Sequence, residues 1–335
     1  MMHATPLMQR FLTLLLASLL ATHTTSVSSQ ERVADGSSQA TKSKPAKPAF
    51  VKPKKTRFIQ VKRNKAGEAE SLQTAVVRYV PVSGESELIV DLIGAVHVGD
   101  RLYYQKLNKL FENYDVLLYE LVAPEGTVIP KGGRTQTTNP VGIIQTLMKT
   151  ILGLELQLEQ IDYTKKNFVH ADLSPAKMAE AMKERGDTAM TLALSVAADF
   201  MRNQNVQSQK ATKTPQTPFP NIDPFSLLLD PQAGKKLKRV MATQFDTEDP
   251  ETGLGATINT ILIADRNKAA LQVLQKELVK GHKRIGIFYG AAHMPDFEKR
   301  LRLEYGFKQK SHLWVTAWDL DSKQPIPNLF KLLDP

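Results

Sequence analysis

The stretch "SELIVDLIGAVHVGDRLYYQKLNKLFENYDVLLYELV", residues 86–122, decides the fold class. It begins with an apolar run typical of a buried strand, and residues 115–122 repeat that composition. Between the two runs, apolar side chains from Tyr103 to Tyr114 recur at helical spacing, after Asp100, a residue type that caps helices. A strand, a helix and a second strand in this order predict parallel strands joined by a right-handed crossover.

Strands and helices continue to alternate on both sides of this unit. Strand patterns occupy residues 73–80, 166–173, 284–290 and 312–320. Helical periodicity or capping signals predict helices over residues 140–158, 175–185, 188–203, 231–245, 256–281 and 295–306. This alternation predicts an α/β or α+β fold, with a mixed central β-sheet flanked by helices in a single domain, residues 67–335.

Positive charge is concentrated ahead of that domain. Lys and Arg total 44 against 34 Asp and Glu, a net charge of +10, yet the basic excess lies between Thr41 and Lys65, where no acidic residue occurs. Surrounded by Pro, Ser and Ala, these charges predict a disordered linker, residues 26–66, whose basicity could also attract an anionic surface. Because the remaining charges balance, we expect no nucleic-acid partner.

Residues 1–25 have the pattern of a secretory signal peptide. Arg10 precedes an apolar run that is short for a bilayer span, and small polar residues follow. We therefore expect an exported protein, periplasmic or secreted, or one anchored to the membrane if the signal is not cleaved. The chain has no Cys, which excludes disulfides, thiolate metal ligands and attachment of a lipid through Cys.

Polar residues follow several of the predicted strands. The segments "GAVH" and "GAAH" place His97 and His293 between a predicted strand and a predicted helix. Glu120 lies near the end of strand 115–122, and Asp172 lies at the end of strand 166–173. Ligands bind outside the carboxyl ends of strands in open α/β sheets, so these side chains are expected to converge. Two imidazoles and a carboxylate are a common ligand set for Zn²⁺, Mn²⁺ or Co²⁺ with positions open to water.

Other roles for these residues stay open from the sequence. Without a metal, the imidazoles and Glu120 could form a general-base pair. Each His could instead cap or hydrogen-bond the chain after its strand. Glu120 could be the ion-pair partner of Arg266, or Arg266 could face solvent from its helix, and Asp172 could be a loop residue before the Ser174 cap.

Four blocks, in their order, resemble the TraB/PrgY/GumN family over about residues 73–318. They are "GAVHVGDRLYYQKLNKLFENYDVLLYELV", "NFVHADLSPAKM", "ADRNKAALQVL" and "GIFYGAAHMPDFEKRL". The family is related to the Tiki metalloproteases and, distantly, to erythromycin esterases and ChaN-like haem-binding proteins. The resemblance implies a divalent metal, Mn, Co or Zn, on His97, Glu120 and His293, with Arg266 and Asp172 as a supporting pair in catalysis. Residues 203–254 match none of the blocks.

We therefore expect an exported, metal-dependent hydrolase that acts on a peptide or small-molecule substrate. The bond that we expect it to cleave is a peptide bond. Under this hypothesis a metal bound to His97, Glu120 and His293 activates water. Two alternatives use the same cleft. One is a binding protein that holds a peptide signal or haem without turnover, and the other is a metal-independent esterase in which His97 is the base.

Overall fold

The computed structural model describes residues 56–83, 87–124, 126–133, 152–184, 186, 233–243, 245 and 256–321. The strands are β1 (Ile59–Arg63), β2 (Ala69–Pro81), β3 (Ile89–Ala95), β4 (Val98–Gly99), β5 (Val116–Tyr119), β6 (Glu155–Leu156), β7 (Phe168–His170), β8 (Arg284–Gly290) and β9 (Phe307–Asp319). The helices are α1 (Arg101–Phe111), α2 (Gln157–Gln160), α3 (Pro175–Glu184), α4 (Ala233–Thr243), α5 (Ala256–Val279) and α6 (Met294–Leu303), with a 3₁₀ turn at Ala291–His293.

Seven of the described strands form one mixed sheet. β9 pairs antiparallel with β2, which also pairs antiparallel with β1 and with β3. From β3 the order continues through β8 and β5 to β7, and these four strands are parallel. The predicted α/β architecture with a mixed sheet is therefore confirmed. The two strands of the opening stretch, β3 and β5, are parallel as expected, but β8 lies between them.

Helices cover both faces of the parallel strands, because successive strand side chains point to opposite faces. Ile93 of β3 and Phe288 of β8 pack with α1 and α4 in one buried cluster. Their neighbours Leu92 and Ile287 pack with α5 and α6 in another. Parallel strands buried on both faces explain why these segments read as continuous apolar runs.

Strand β1 corrects one predicted boundary. It lies within residues 26–66, so the linker predicted there ends before Ile59. Phe58 and Val61 are buried, and β1 pairs with β2 from Ile59 to Arg63. Two of the basic residues that suggested a solvated linker, Lys62 and Arg63, belong to the exposed part of this strand. The many basic residues of this segment therefore led us to overlook the short apolar pattern around Phe58 and Val61.

Two further local predictions were wrong. The helix expected over residues 140–158 does not reach its predicted end, because Gly153 adopts a positive φ of 62° and Glu155–Leu156 form β6 against β4. Asp100 is the N-cap residue of α1, as predicted, but its side chain makes no capping hydrogen bond. Its carboxylate instead contacts the Lys238 ammonium at 2.7 Å, which ties α4 to the start of α1.

Several predictions fall on residues that the structure does not describe. The signal peptide, most of the linker, the helix over 188–203 and most of the segment 203–254 lie outside the described residues. Within the described ranges, none of the helices combines the length and the apolar composition needed to cross a bilayer.

Candidate functional site

The carboxyl ends of the four parallel strands meet at one edge of the sheet, and each is followed by one of the predicted residues. His97 lies two positions after β3, Glu120 directly after β5, Asp172 two positions after β7 and His293 at the end of the 3₁₀ turn after β8. Arg266 reaches the same edge from α5. The convergence predicted from the strand ends is therefore found in the structure.

Arg266 is the centre of this cluster. Its Nε and Nη2 donate to the two carboxylate oxygens of Asp172 at 2.9 and 2.6 Å, and Nη2 also donates to Oε1 of Glu120 at 2.6 Å. Only 13% of its side chain is exposed, and the side chain of Asp172 is buried. Burial disfavours the charged guanidinium, but the hydrogen bond to Asp172 and the charge of Glu120 raise the pKa of Arg266 above its ordinary value. The helical arginine faces the sheet edge and not solvent.

Glu120 is held in its ionised form. Besides the contact with Arg266, its Oε2 accepts the backbone N–H of Gly290 at 2.7 Å. Burial alone would raise the pKa of Glu120, but its neighbours, with His293 and Arg266 foremost, lower it from 4.5 to about 2. At neutral pH the carboxylate therefore carries its negative charge in a nearly water-free position.

Asn267, which the sequence did not single out, fixes the tautomer of His293. Its Nδ2 donates to the carbonyl of His293 at 3.0 Å and to Oδ2 of Asp296 at 2.9 Å, so its Oδ1 is the acceptor that lies 2.7 Å from Nδ1 of His293. The imidazole must carry its proton on Nδ1. Its Nε2 therefore presents a lone pair, 3.6 Å from Oε1 of Glu120 and 3.5 Å from Nη1 of Arg266.

Burial also keeps His293 neutral. It lowers the pKa of His293 from 6.5 to about 4, although the charge of Glu120 opposes this change. The position of Asn267 next to Arg266 was the available sequence signal. An amide carries no charge, however, and an Asn within a helix gives no indication of what it contacts.

His97 is exposed, and it lies at the border of a small space above Gly290. A Cβ added to Gly290 would lie 3.4 Å from Oε2 of Glu120 and 3.8 Å from Nε2 of His97, and equally 3.8 Å from Cδ2 of His293. The glycine thus leaves open a position that both histidines and the glutamate surround. Its φ of −50° is accessible to any residue, so the space beside it and not the backbone distinguishes glycine here.

His170 has a structural role. Its Nε2 donates to the carbonyl of Leu121 at 2.6 Å and so ties the end of β7 to the residue that follows Glu120. The ring packs against Tyr119 with centroids 5.7 Å apart. This contact holds the β5 and β7 ends in register beside the site.

The predicted metal ligands fit a divalent cation in their chemistry. Two imidazoles and a carboxylate suit Zn²⁺, Mn²⁺ or Co²⁺, and the Asn267–His293 hydrogen bond is the kind of outer contact that orients a ligating histidine. Within the part of the chain that is described, however, no three His, Asp or Glu side chains are arranged as a group that could hold a metal. Arg266 contacts Glu120 and His293 where such a cation would bind, so the two would compete.

Comparisons with protein-family models, with curated proteins and with solved structures gave no match to this chain. The resemblance to the TraB/PrgY/GumN family therefore stays a prediction that rests on the four sequence blocks. Each of these blocks contributes a residue to the cluster: His97 and Glu120, Asp172, Arg266 and His293.

Proposed function

We propose that this protein is a metal-dependent hydrolase that cleaves peptide bonds at the edge of the parallel strands. The observation that carries the proposal is the convergence of His97, Glu120 and His293 around the space above Gly290, with the proton of His293 fixed on Nδ1 by Asn267. In this arrangement Glu120 and His293 both direct unshared electron pairs into the site.

The protonation states of Glu120 and His293 favour a role as metal ligands over a role as general bases. A general base works best when its pKa lies near the working pH, whereas Glu120 at about 2 and His293 at about 4 are weak bases at neutral pH. The same values keep both groups deprotonated, as metal ligands must be. A divalent metal, when bound to His97, Glu120 and His293, would lower the pKa of its water and polarise the scissile carbonyl.

The remaining residues position this set. Asp172 holds the guanidinium of Arg266 through two hydrogen bonds, and Arg266 in turn fixes the Glu120 carboxylate. Asn267 sets the ring orientation of His293 and is itself held by Asp296. His97, as the exposed member, is the one that substrate meets first.

The contact between Arg266 and Glu120 favours a second candidate, a binding protein without turnover. Arg266 already lies 2.6 Å from Oε1 of Glu120, the group that a metal would need as a ligand, although it also pairs with Asp172, so the guanidinium and the two carboxylates keep a net charge of −1. In this case the same cleft would hold a peptide or haem, with His97 as the accessible donor.

Metal analysis and cleavage of a peptide library by the full-length chain separate these candidates. The library is incubated with protein in EDTA and then with Mn²⁺, Co²⁺ or Zn²⁺, and cleavage is followed by mass spectrometry. We expect cleavage with at least one metal, none in EDTA, and a loss of at least about tenfold for His97→Ala. His97 is exposed, so this variant should stay folded, and His312→Ala, an exposed His on β9, is the matched control.

Two results would contradict the hydrolase. One is an intact library with all three metals, and the other is a His97→Ala protein that cleaves as fast as the unaltered chain. Haem binding, read as a shift of the Soret band that His97→Ala abolishes, would favour the binding protein instead.

A further inference from the structure

The side-chain amide of Gln157 has an unused hydrogen-bonding end. Gln157 begins α2 and is only 6% exposed. Its Nε2 donates to the hydroxyl of Tyr163 at 2.9 Å, but its Oε1 has no hydrogen-bond partner among the described residues. Buried polar atoms are nearly always paired, because an unpaired acceptor loses its hydration without compensation. An unpaired acceptor beside a binding site indicates that a bound ligand supplies the hydrogen-bond donor.

Two contacts place Gln157 and its partner Tyr163 beside His97 and Glu120. The backbone N–H of Gln157 donates to the carbonyl of His97 at 2.9 Å, so α2 is anchored directly on the His97 corner. The ring of Tyr163 packs on Tyr119, the residue before Glu120, with centroids 5.1 Å apart. The pKa of Tyr163 is raised first by its burial and further by the charge of Glu120, which marks the two as electrostatic neighbours.

We propose that Oε1 of Gln157 accepts a hydrogen bond from a backbone N–H of a peptide substrate, and that Tyr163 holds the amide in the orientation that this requires. The inference rests on the proposed function and makes its substrate class specific. An acceptor with no hydrogen of its own selects a donor, which a peptide backbone supplies at every residue except proline. Sites built to hydrogen-bond a substrate N–H discriminate strongly against analogues that lack it.

A purely structural role makes a different prediction. In either case, replacing the amide with Met removes the unpaired oxygen but also the hydrogen bond from Nε2 to the buried Tyr163 hydroxyl, so some loss of stability is expected. If the amide only fills space, ligand binding by the folded variant is unchanged. If the amide binds substrate, the folded variant binds more weakly. The Gln157→Met variant therefore separates the two roles, provided that stability and binding are measured on the same protein.

The test is the retention of a random hexapeptide library by the immobilised full-length chain in EDTA, where cleavage is not expected. We predict that Gln157→Met stays folded, with a melting temperature lowered by the loss of the Tyr163 hydrogen bond, and retains about fivefold to tenfold less peptide than the unaltered protein. Gln160→Met, the same replacement one turn later on α2, is the matched control and should retain peptide normally. A backbone N-methylated library should bind the unaltered protein as weakly as the standard library binds Gln157→Met.

Equal retention by Gln157→Met and the unaltered chain would overturn the proposal, and so would the absence of any retention by the unaltered chain. Tyr163→Phe, which preserves the aromatic packing but releases the amide, gives a second reading if Gln157→Met does not fold, and should also reduce retention. Cleavage is scored separately with metal present. Retention without cleavage would refute the hydrolase and leave the peptide subsite standing.

Discussion

Replacing Arg266 with Met removes the cation around which the site is built. The guanidinium makes three hydrogen bonds to Asp172 and Glu120, and all three side chains are largely shielded from water. Met is similar in length and apolar, so it can fill part of the volume. It leaves two carboxylates close together with no compensating charge.

The expected cost is large because the surviving charges stay buried. Breaking a buried ion pair by removing one partner typically destabilises by about 3–5 kcal/mol. For a domain of this size that corresponds to a fall in melting temperature of roughly 5–9 °C. Arg302→Met is the control: its side chain is 51% exposed and lies 3.7 Å from Glu298, so we expect a loss below about 1 kcal/mol.

Urea unfolding at pH 7 and pH 5 tests both the size and the cause of this loss. Without Arg266, the effect of burial on Glu120 is less opposed and its folded-state pKa rises, so the folded variant takes up protons more readily as pH falls. The deficit relative to the unaltered chain should therefore shrink at pH 5. A variant as stable as the parent at pH 7 would refute the reasoning, as would a deficit that stays constant or grows at pH 5.

Three further predictions concern single residues of the sheet edge. Burial lowers the folded-state pKa of His293 from 6.5 to about 4, so the free energy of unfolding in EDTA should fall by about 3 kcal/mol as the pH drops through this range. His293→Gln should show a flatter dependence of stability on pH. Parallel profiles for the two proteins would contradict a buried, neutral His293. Gly290→Ala should unfold within about 1 kcal/mol of the parent but cleave peptides at least about tenfold more slowly, since its methyl group enters the space between Glu120 and the histidines; full activity would show that this space is not used. Gly286→Ala should lose about 1–3 kcal/mol in urea unfolding, because its Cβ would lie 2.6 Å from Cδ1 of Leu117, and an unchanged midpoint would contradict the packing described.

The fold was predictable from local patterns, but the order of its strands was not. Apolar runs and helical spacing correctly placed β3, α1 and β5, and the limits of β8 matched residue for residue. The insertion of β8 between β3 and β5 joins segments more than 150 residues apart in sequence. No local pattern encodes that pairing, because it depends on which apolar faces finally pack together.

The site residues that follow strands were predictable because the carboxyl ends of parallel strands meet at one edge. Glu120 and both histidines follow strands, so a topological rule was enough to bring them together. Arg266, Asn267 and Gln157 lie on helices, where direction depends on how each helix packs. Arg266 was recognised through the family resemblance, whereas Asn267 and Gln157 are uncharged and needed the structure.

The most direct test of the proposed function is the rate at which the full-length chain and its Glu120→Gln variant cleave the same peptide library with the activating metal. Gln keeps the size of the side chain and its capacity to accept the Gly290 N–H, but it removes the negative charge that Arg266 and a metal would share. We predict cleavage by the unaltered protein and a rate at least about 100-fold lower for the variant, with both proteins folded. Equal rates, or a library left intact by the unaltered chain, would contradict a hydrolytic site at this edge of the sheet.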